Sequence, residues 1–98
     1  MKTNEEGKLT KEQVDRVVEH IDHESRKLLL ERQHVQSEIY SLGEKVLKFD
    51  QLDVRLARAE GRRLLSTRDR LDGEMAALEQ RRNAILDKFQ AQEAAQNE

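Results

Sequence analysis

An apolar residue stands at every seventh position from Val14 through Ile21, Leu28, Val35, Leu42 and Phe49 to Leu56. No other feature limits the possible folds of this chain as strongly. The positions four residues after each are mixed: Val18, Ile39 and Val46 are apolar, while Ser25, Arg32 and Asp53 are not. Spacings that alternate between four and three fall on one face of an α-helix, because their mean lies close to the helical repeat. A stripe this long, with charge on the opposite face, belongs to a helix that packs on another helix.

The start of that helix is written locally. Thr10 is placed to cap it, and Gln13 stands three residues on to complete a capping box. Leu9 and Val14 flank the cap as a hydrophobic staple. Glu12 and Asp15 suit the positive end of the helix dipole. Glu12 with Arg16, and Asp22 with Arg26, are spaced to pair along the exposed face, each worth at most about 0.5 kcal/mol. Val17, Leu29 and Leu52 widen the stripe beyond a two-stranded seam, which favours a bundle cross-section.

Three places can reverse the chain. Ser41-Leu42-Gly43-Glu44 offers a glycine and a second capping pattern, although the seven-residue phase passes through it. Phe49-Asp50-Gln51-Leu52-Asp53 halves the helical region, with Asp50 as a candidate cap. Ala57 to Arg63 contains Gly61, and there the spacing slips, since Leu56 to Leu64 is eight residues. Glycine inside a helix costs about 1 kcal/mol relative to alanine. A second seven-residue series then runs Leu64, Leu71, Leu78 and Ile85, with Met75 and Phe89 between and Leu65 and Leu86 beside it. Arg68 and Arg82 sit at seam positions, where their stems can pack while the heads reach solvent or an acid. Gly73 weakens this helix locally, and no internal repeat beyond the heptad is evident. One straight helix from Thr10 to Gln92 would be about 125 Å long; a chain that folds back is the favoured reading.

The composition agrees with long helices. Of 98 residues, 39 % are charged and 3 % aromatic, with no Pro, Trp or Cys. Such a chain has little with which to line an enzyme pocket. A formal net charge of -2 gives no bulk attraction to nucleic acid or membranes. Without cysteine there is no disulfide or thiolate chemistry. Met1 to Lys11 is polar, so no signal peptide is expected. Leu28-Leu29-Leu30 is the longest apolar run, far short of a spanning segment. A cytoplasmic location follows as the expectation.

His20, His23 and Glu24 lie within about one helical turn, with His34 on much the same side. The order His-x-x-His-Glu matches no metalloprotease helix pattern, and the residues lie away from the seam. Solvated histidines are expected, with no metal site, no cofactor and no catalytic residue. Arg55, Arg58, Arg62, Arg63, Arg68 and Arg70 face only Glu60 and Asp69 between positions 55 and 70. Such a cluster can grip phosphates, or dock on an acidic protein through forked contacts. It can also be a solvated face balanced by Glu31, Glu38 and Glu44 across a bundle. No aromatic residues interleave with it, so nucleic acid is not the expected partner. Leu28-Leu29-Leu30 spans three directions around its helix, either as the centre of a multi-helix core or as a patch for a partner helix.

The segment Leu47-Lys48-Phe49-Asp50-Gln51-Leu52-Asp53-Val54-Arg55-Leu56-Ala57-Arg58-Ala59-Glu60-Gly61 resembles the junction of the second and third helices in BAG domains. Those are three-helix bundles that regulate heat-shock chaperones of the seventy-kilodalton class by docking on the ATPase domain. The resemblance places Asp50 and Arg58 at two docking positions. It departs from the family at Tyr40, where an acid is expected, at Ser66, where a glutamine is expected, and in the missing interhelical loop. It covers less than a fifth of the chain.

The sequence therefore describes an all-α protein with a disordered lead over 1–9, a coiled-coil domain over 10–92 and a polar tail over 93–98. Its long amphipathic helices form an antiparallel helical hairpin or a three-helix coiled-coil bundle that self-associates. The expected function is non-enzymatic: an adaptor or assembly subunit that binds a helical protein partner through the seam and the arginine face. The residues assigned to that role are Leu28, Leu29, Arg55, Arg58, Arg62 and Arg63. Alternatives are a chaperone regulator of the BAG type and a weak nucleic-acid binder through Arg55 to Arg70. On this reading Leu28→Asp unfolds or dissociates the protein, whereas His23→Ala leaves its stability nearly unchanged. Circular dichroism melts of the two variants check both halves, and the reverse order would place the seam elsewhere.

Overall fold

A computed structural model describes residues 8–48 and 53–96. They form two long helices, α1 (Lys11–Lys48) and α2 (Val54–Gln96), with no strand among the described residues. The cap of α1 is the one its sequence specifies. The Thr10 N–H donates to Gln13 Oε1 at 3.0 Å, and the Gln13 N–H donates back to Thr10 Oγ1 at 3.1 Å. Each satisfies a backbone donor that the first turn leaves without a helical partner.

Two of the proposed reversals are helical throughout. Ser41 to Glu44 lies inside α1, and Ala57 to Arg63 lies inside α2. The break falls at the remaining candidate, of which Phe49, Asp50, Gln51 and Leu52 lie outside the described residues. Asp53 caps α2: its Oδ1 accepts the N–H groups of Arg55 at 2.9 Å and Leu56 at 3.3 Å. The Asp53 carbonyl then accepts the Ala57 N–H, which opens the helical ladder.

The break corrects the frame of the second stripe. Leu56 was expected on the seam, yet it is 69 % exposed, and Ala57 is buried in its place. Ala57, Leu64, Leu71, Leu78, Ile85 and Gln92 form an unbroken seven-residue series. The eight-residue step from Leu56 to Leu64 is therefore a change of frame between two helices, not a flaw within one. Val46, another expected seam residue, is exposed near the end of α1.

The chain divides into a terminal unit, Met1–Ser25 with Ala76–Glu98, and a central unit, Arg26–Met75. In the terminal unit Val14 and Ile21 are buried, and Leu78, Ile85 and Phe89 are half-buried. Arg82 Nε donates to Asp22 Oδ1 at 2.9 Å, so Asp22 reaches α2, not Arg26 on its own helix. The Gln92 side chain ties down the entry of the chain, accepting the Leu9 N–H at 2.8 Å and donating to its carbonyl at 2.6 Å. Leu9 and Gln92 thus join the packed structure. Residues 93–96, assigned to the polar tail, continue α2 to Gln96.

In the central unit Val35, Leu64 and Leu71 form the core, with Leu28, Ile39 and Leu42 packed against it. Arg32 Nε donates to Asp72 Oδ1 at 2.5 Å, and Arg68 Nη1 to Gln36 Oε1 at 3.2 Å. Both arginines occupy seam positions and reach the flank of the other helix. Pairing runs antiparallel in each unit, as in a helical hairpin. The described residues contain no third helix.

One repeat went unread in the sequence. An offset of fifty residues carries Asp22, Glu24, Leu28 and Arg32 onto Asp72, Glu74, Leu78 and Arg82. Each helix therefore supplies the acid to one cross-seam bridge and the arginine to another. With both side chains in each bridge more than a third exposed, or close to it, each contributes about 0–1 kcal/mol.

Gly43 and Gly73 lie in mid-helix with nothing within 4 Å of where a Cβ would stand. Gly43→Ala and Gly73→Ala are each expected to stabilise the protein by about 0.8–1 kcal/mol, the intrinsic difference in helix propensity. Urea unfolding read by circular dichroism checks this; a loss of stability would mean that a glycine backbone conformation is needed.

Candidate functional site

Among the described residues, the eight large apolar side chains that stand exposed belong to the central unit: Leu29, Leu30, Tyr40, Val46, Leu47, Val54, Leu56 and Leu65. The reason lies in the pattern. A two-helix seam covers two positions in seven on each helix, and here only the first of them is fully buried. Leu29 and Leu65 lie immediately beside seam residues, and Leu30, Tyr40 and Leu47 lie farther round α1. Leu28 packs against the central core, so of the two leucines assigned to partner binding only Leu29 is exposed.

The arginine stretch divides by helical angle. Arg68 is drawn across the seam to Gln36. Arg63 forks onto Glu60, with Nη2 to Oε1 at 2.5 Å and Nε to Oε2 at 3.1 Å. Arg70 reaches Glu74 at 2.6 Å along its own helix. Arg55, Arg58 and Arg62 are exposed and make no ion pair among the described residues. The expected balance by α1 acids takes another form. Glu38 lies 3.4 Å from His34, and Glu44 lies 3.4 Å from Lys48. Glu38 and Glu44 thus engage their own helix, whereas Asp22 reaches Arg82 on α2.

A cleft of about 310 Å³ opens between the helices of the central unit, with Leu42 and Leu64 as its apolar part and His34, Glu38, Lys45 and Glu60 among its polar walls. Ser37 and Ser41 also line it, but no described hydrogen bond joins either serine to His34. Among the described residues no group of three or more His, Asp or Glu is placed to hold a metal. His20, His23 and His34 are exposed. No described helix is long and apolar enough to cross a membrane. Of the two docking positions drawn from the BAG resemblance, Arg58 is exposed on α2 and Asp50 lies outside the described residues.

The hydrogen bonds from Arg63 hold the Glu60 carboxyl below its ordinary range, and the same contact raises the Arg63 guanidinium. A lowered carboxyl favours the folded state above its unfolded pKa, and that contribution disappears as pH falls through the folded value. Comparison with known protein families, with curated proteins and with solved structures finds no match for the chain. In a carbon-detected NMR titration, Glu60 is expected to titrate at lower pH than an unpaired glutamate. Arg63→Ala should return it to the ordinary range; an unchanged midpoint would show that the fork is absent in solution.

Proposed function

We propose that this protein is a non-enzymatic helical interaction module, an adaptor or assembly subunit. A helical protein partner binds on the central unit, which carries exposed apolar side chains and arginines that hold no carboxylate among the described residues. The observation that carries this reading is the division of the arginines. Arg63, Arg68 and Arg70 are spent inside the chain, whereas Arg55, Arg58 and Arg62 hold no carboxylate among the described residues. Guanidinium groups left open beside apolar surface suit recognition of an acidic amphipathic helix. Leu29 and Leu65 supply apolar anchors on the same unit.

Self-association is part of the same proposal. Six residues, Val14, Ile21, Val35, Ala57, Leu64 and Leu71, are buried, a shallow core for helices of this length. Leu28, Ile39, Leu78 and Ile85 remain half-covered, and a further helix would complete their burial.

The test compares the wild type with Arg58→Glu/Arg62→Glu and with Leu29→Ser/Leu65→Ser, all as full chains checked for helicity. Proteins that bind the immobilised wild type are identified, and their affinities for the three chains are measured. The reading expects at least about a tenfold loss for each double variant, the equivalent of one lost close contact. Equal binding by all three chains would dismiss the central unit as the working surface.

A further inference from the structure

The two helix ends that flank residues 49–52 carry a dense mixture of apolar and cationic side chains. Val46 and Leu47 close α1, and Val54 and Leu56 open α2; all four are more than half exposed, Leu47 at 86 %. Among them stand Lys45, Lys48, Arg55 and Arg58, all exposed. Between positions 45 and 58 four cations stand against two acids: Asp50, which lies outside the described residues, and Asp53, whose carboxylate is committed to the N–H groups of Arg55 and Leu56. Glu44, one residue outside, lies 3.4 Å from Lys48 with both side chains about two-thirds exposed, a weak pair.

The helix dipole accounts for only half of these charges. Lys45 and Lys48 lie in the last turn of α1, where cations are favourable. At the start of α2 the preference is reversed, yet the first turn holds no acid, and Arg55 and Arg58 stand close to its positive end. Among the described residues no carboxylate pairs with either of them, and an external anion would supply the missing charge.

We infer that this end of the central unit is a docking surface for an anionic lipid bilayer. Its cations approach the headgroups, and Val46, Leu47, Val54 and Leu56 enter the interfacial layer. The shape decides between occupants. A partner helix needs a groove, whereas these four side chains are each more than half exposed and stand apart from Leu42 and Leu64, the apolar pair of the cleft described above. A headgroup layer accepts separate projecting apolar groups interleaved with cations. A second copy meeting end to end would set these cations against their equals at close range, where like charges repel. The surface shares Arg55 and Arg58 with the acidic-helix site above but not Arg62, Leu29 or Leu65, and its variants are chosen at Lys45, Leu47, Arg55 and Leu56.

The test is flotation of the full chain with phosphatidylcholine vesicles, with and without about 30 % phosphatidylserine, at about 0.1 M and about 0.5 M salt. The expected result is at least about tenfold more bound protein on the anionic vesicles, falling steeply with salt. Leu47→Asp/Leu56→Asp and Lys45→Glu/Arg55→Glu, each confirmed helical, should each lower binding about tenfold or more. Equal recovery on both vesicle types, or none on either, would overturn the inference. So would binding that ignores the leucine substitutions, because attraction alone would then explain it.

Discussion

A seam one residue wide on each helix holds α1 and α2 together. Val14, Ile21 and Val35 on one side, and Ala57, Leu64 and Leu71 on the other, are buried, and among the described residues no polar one is. The interleaved positions carry Ser25, Arg32, Gly61, Arg68 and Arg82, so the apolar series alone cannot close the seam. The arginines close it by laying their stems along it and passing their heads to the opposite flank. Their energetic worth is small, but their effect on register is larger. Sliding α2 by one heptad in one direction brings Arg32 opposite Leu65; sliding it in the other brings Arg82 opposite Leu29. Either slip strands one seam arginine against a leucine while the other meets Asp15 or Glu79, so only the observed pairing gives both arginines a carboxylate.

The parts of this fold readable in the sequence are those whose partners lie within a few residues. The Thr10–Gln13 box spans a single turn, and its hydrogen bonds form as the spacing predicts. The heptad is equally local. The chain reversal was harder to fix because no glycine or proline marks it. Gly43 and Gly61 drew attention to stretches that remain helical, while Asp53, the cap, had the look of a polar seam position. Ala57 escaped notice because a methyl group registers weakly in an apolar series counted forward from Leu56. Counted backward from Leu64, the same series reaches it. The fifty-residue repeat was present too, hidden among heptads that resemble one another at many offsets. Its meaning emerges once Arg32–Asp72 and Arg82–Asp22 are seen as bridges of the same kind.

The candidate surface was readable only as a cluster. Sequence places six arginines between positions 55 and 70 but does not say which of them the fold consumes. Helical angle decides that. Arg68 points into the seam and Arg63 finds Glu60 one turn away, whereas Arg55 and Arg62, separated by seven residues, share an outward face with no acid in contact among the described residues. The seam position of Arg68 followed from the second heptad frame, so part of this division was available beforehand. The exposure of Val46 and Leu56 was not, because the frame change at the break had been misplaced.

The terminal unit and the central unit differ in how completely local preferences are satisfied. At the start of α1 the cap, the acid in the first turn and the Leu9–Gln92 tie all favour the folded chain. At the start of α2 only Asp53 does so; arginines replace acids in the first turns, and apolar side chains stand in water. Consistency across levels is what a sequence needs in order to specify a structure, and departures from it concentrate where a protein meets something else. A chain without external contacts at that end would gain stability from acids near Arg55 and solubility from polar residues at Leu47 and Leu56. The combination present there costs both, and an anionic surface with an apolar interior would recover both at once.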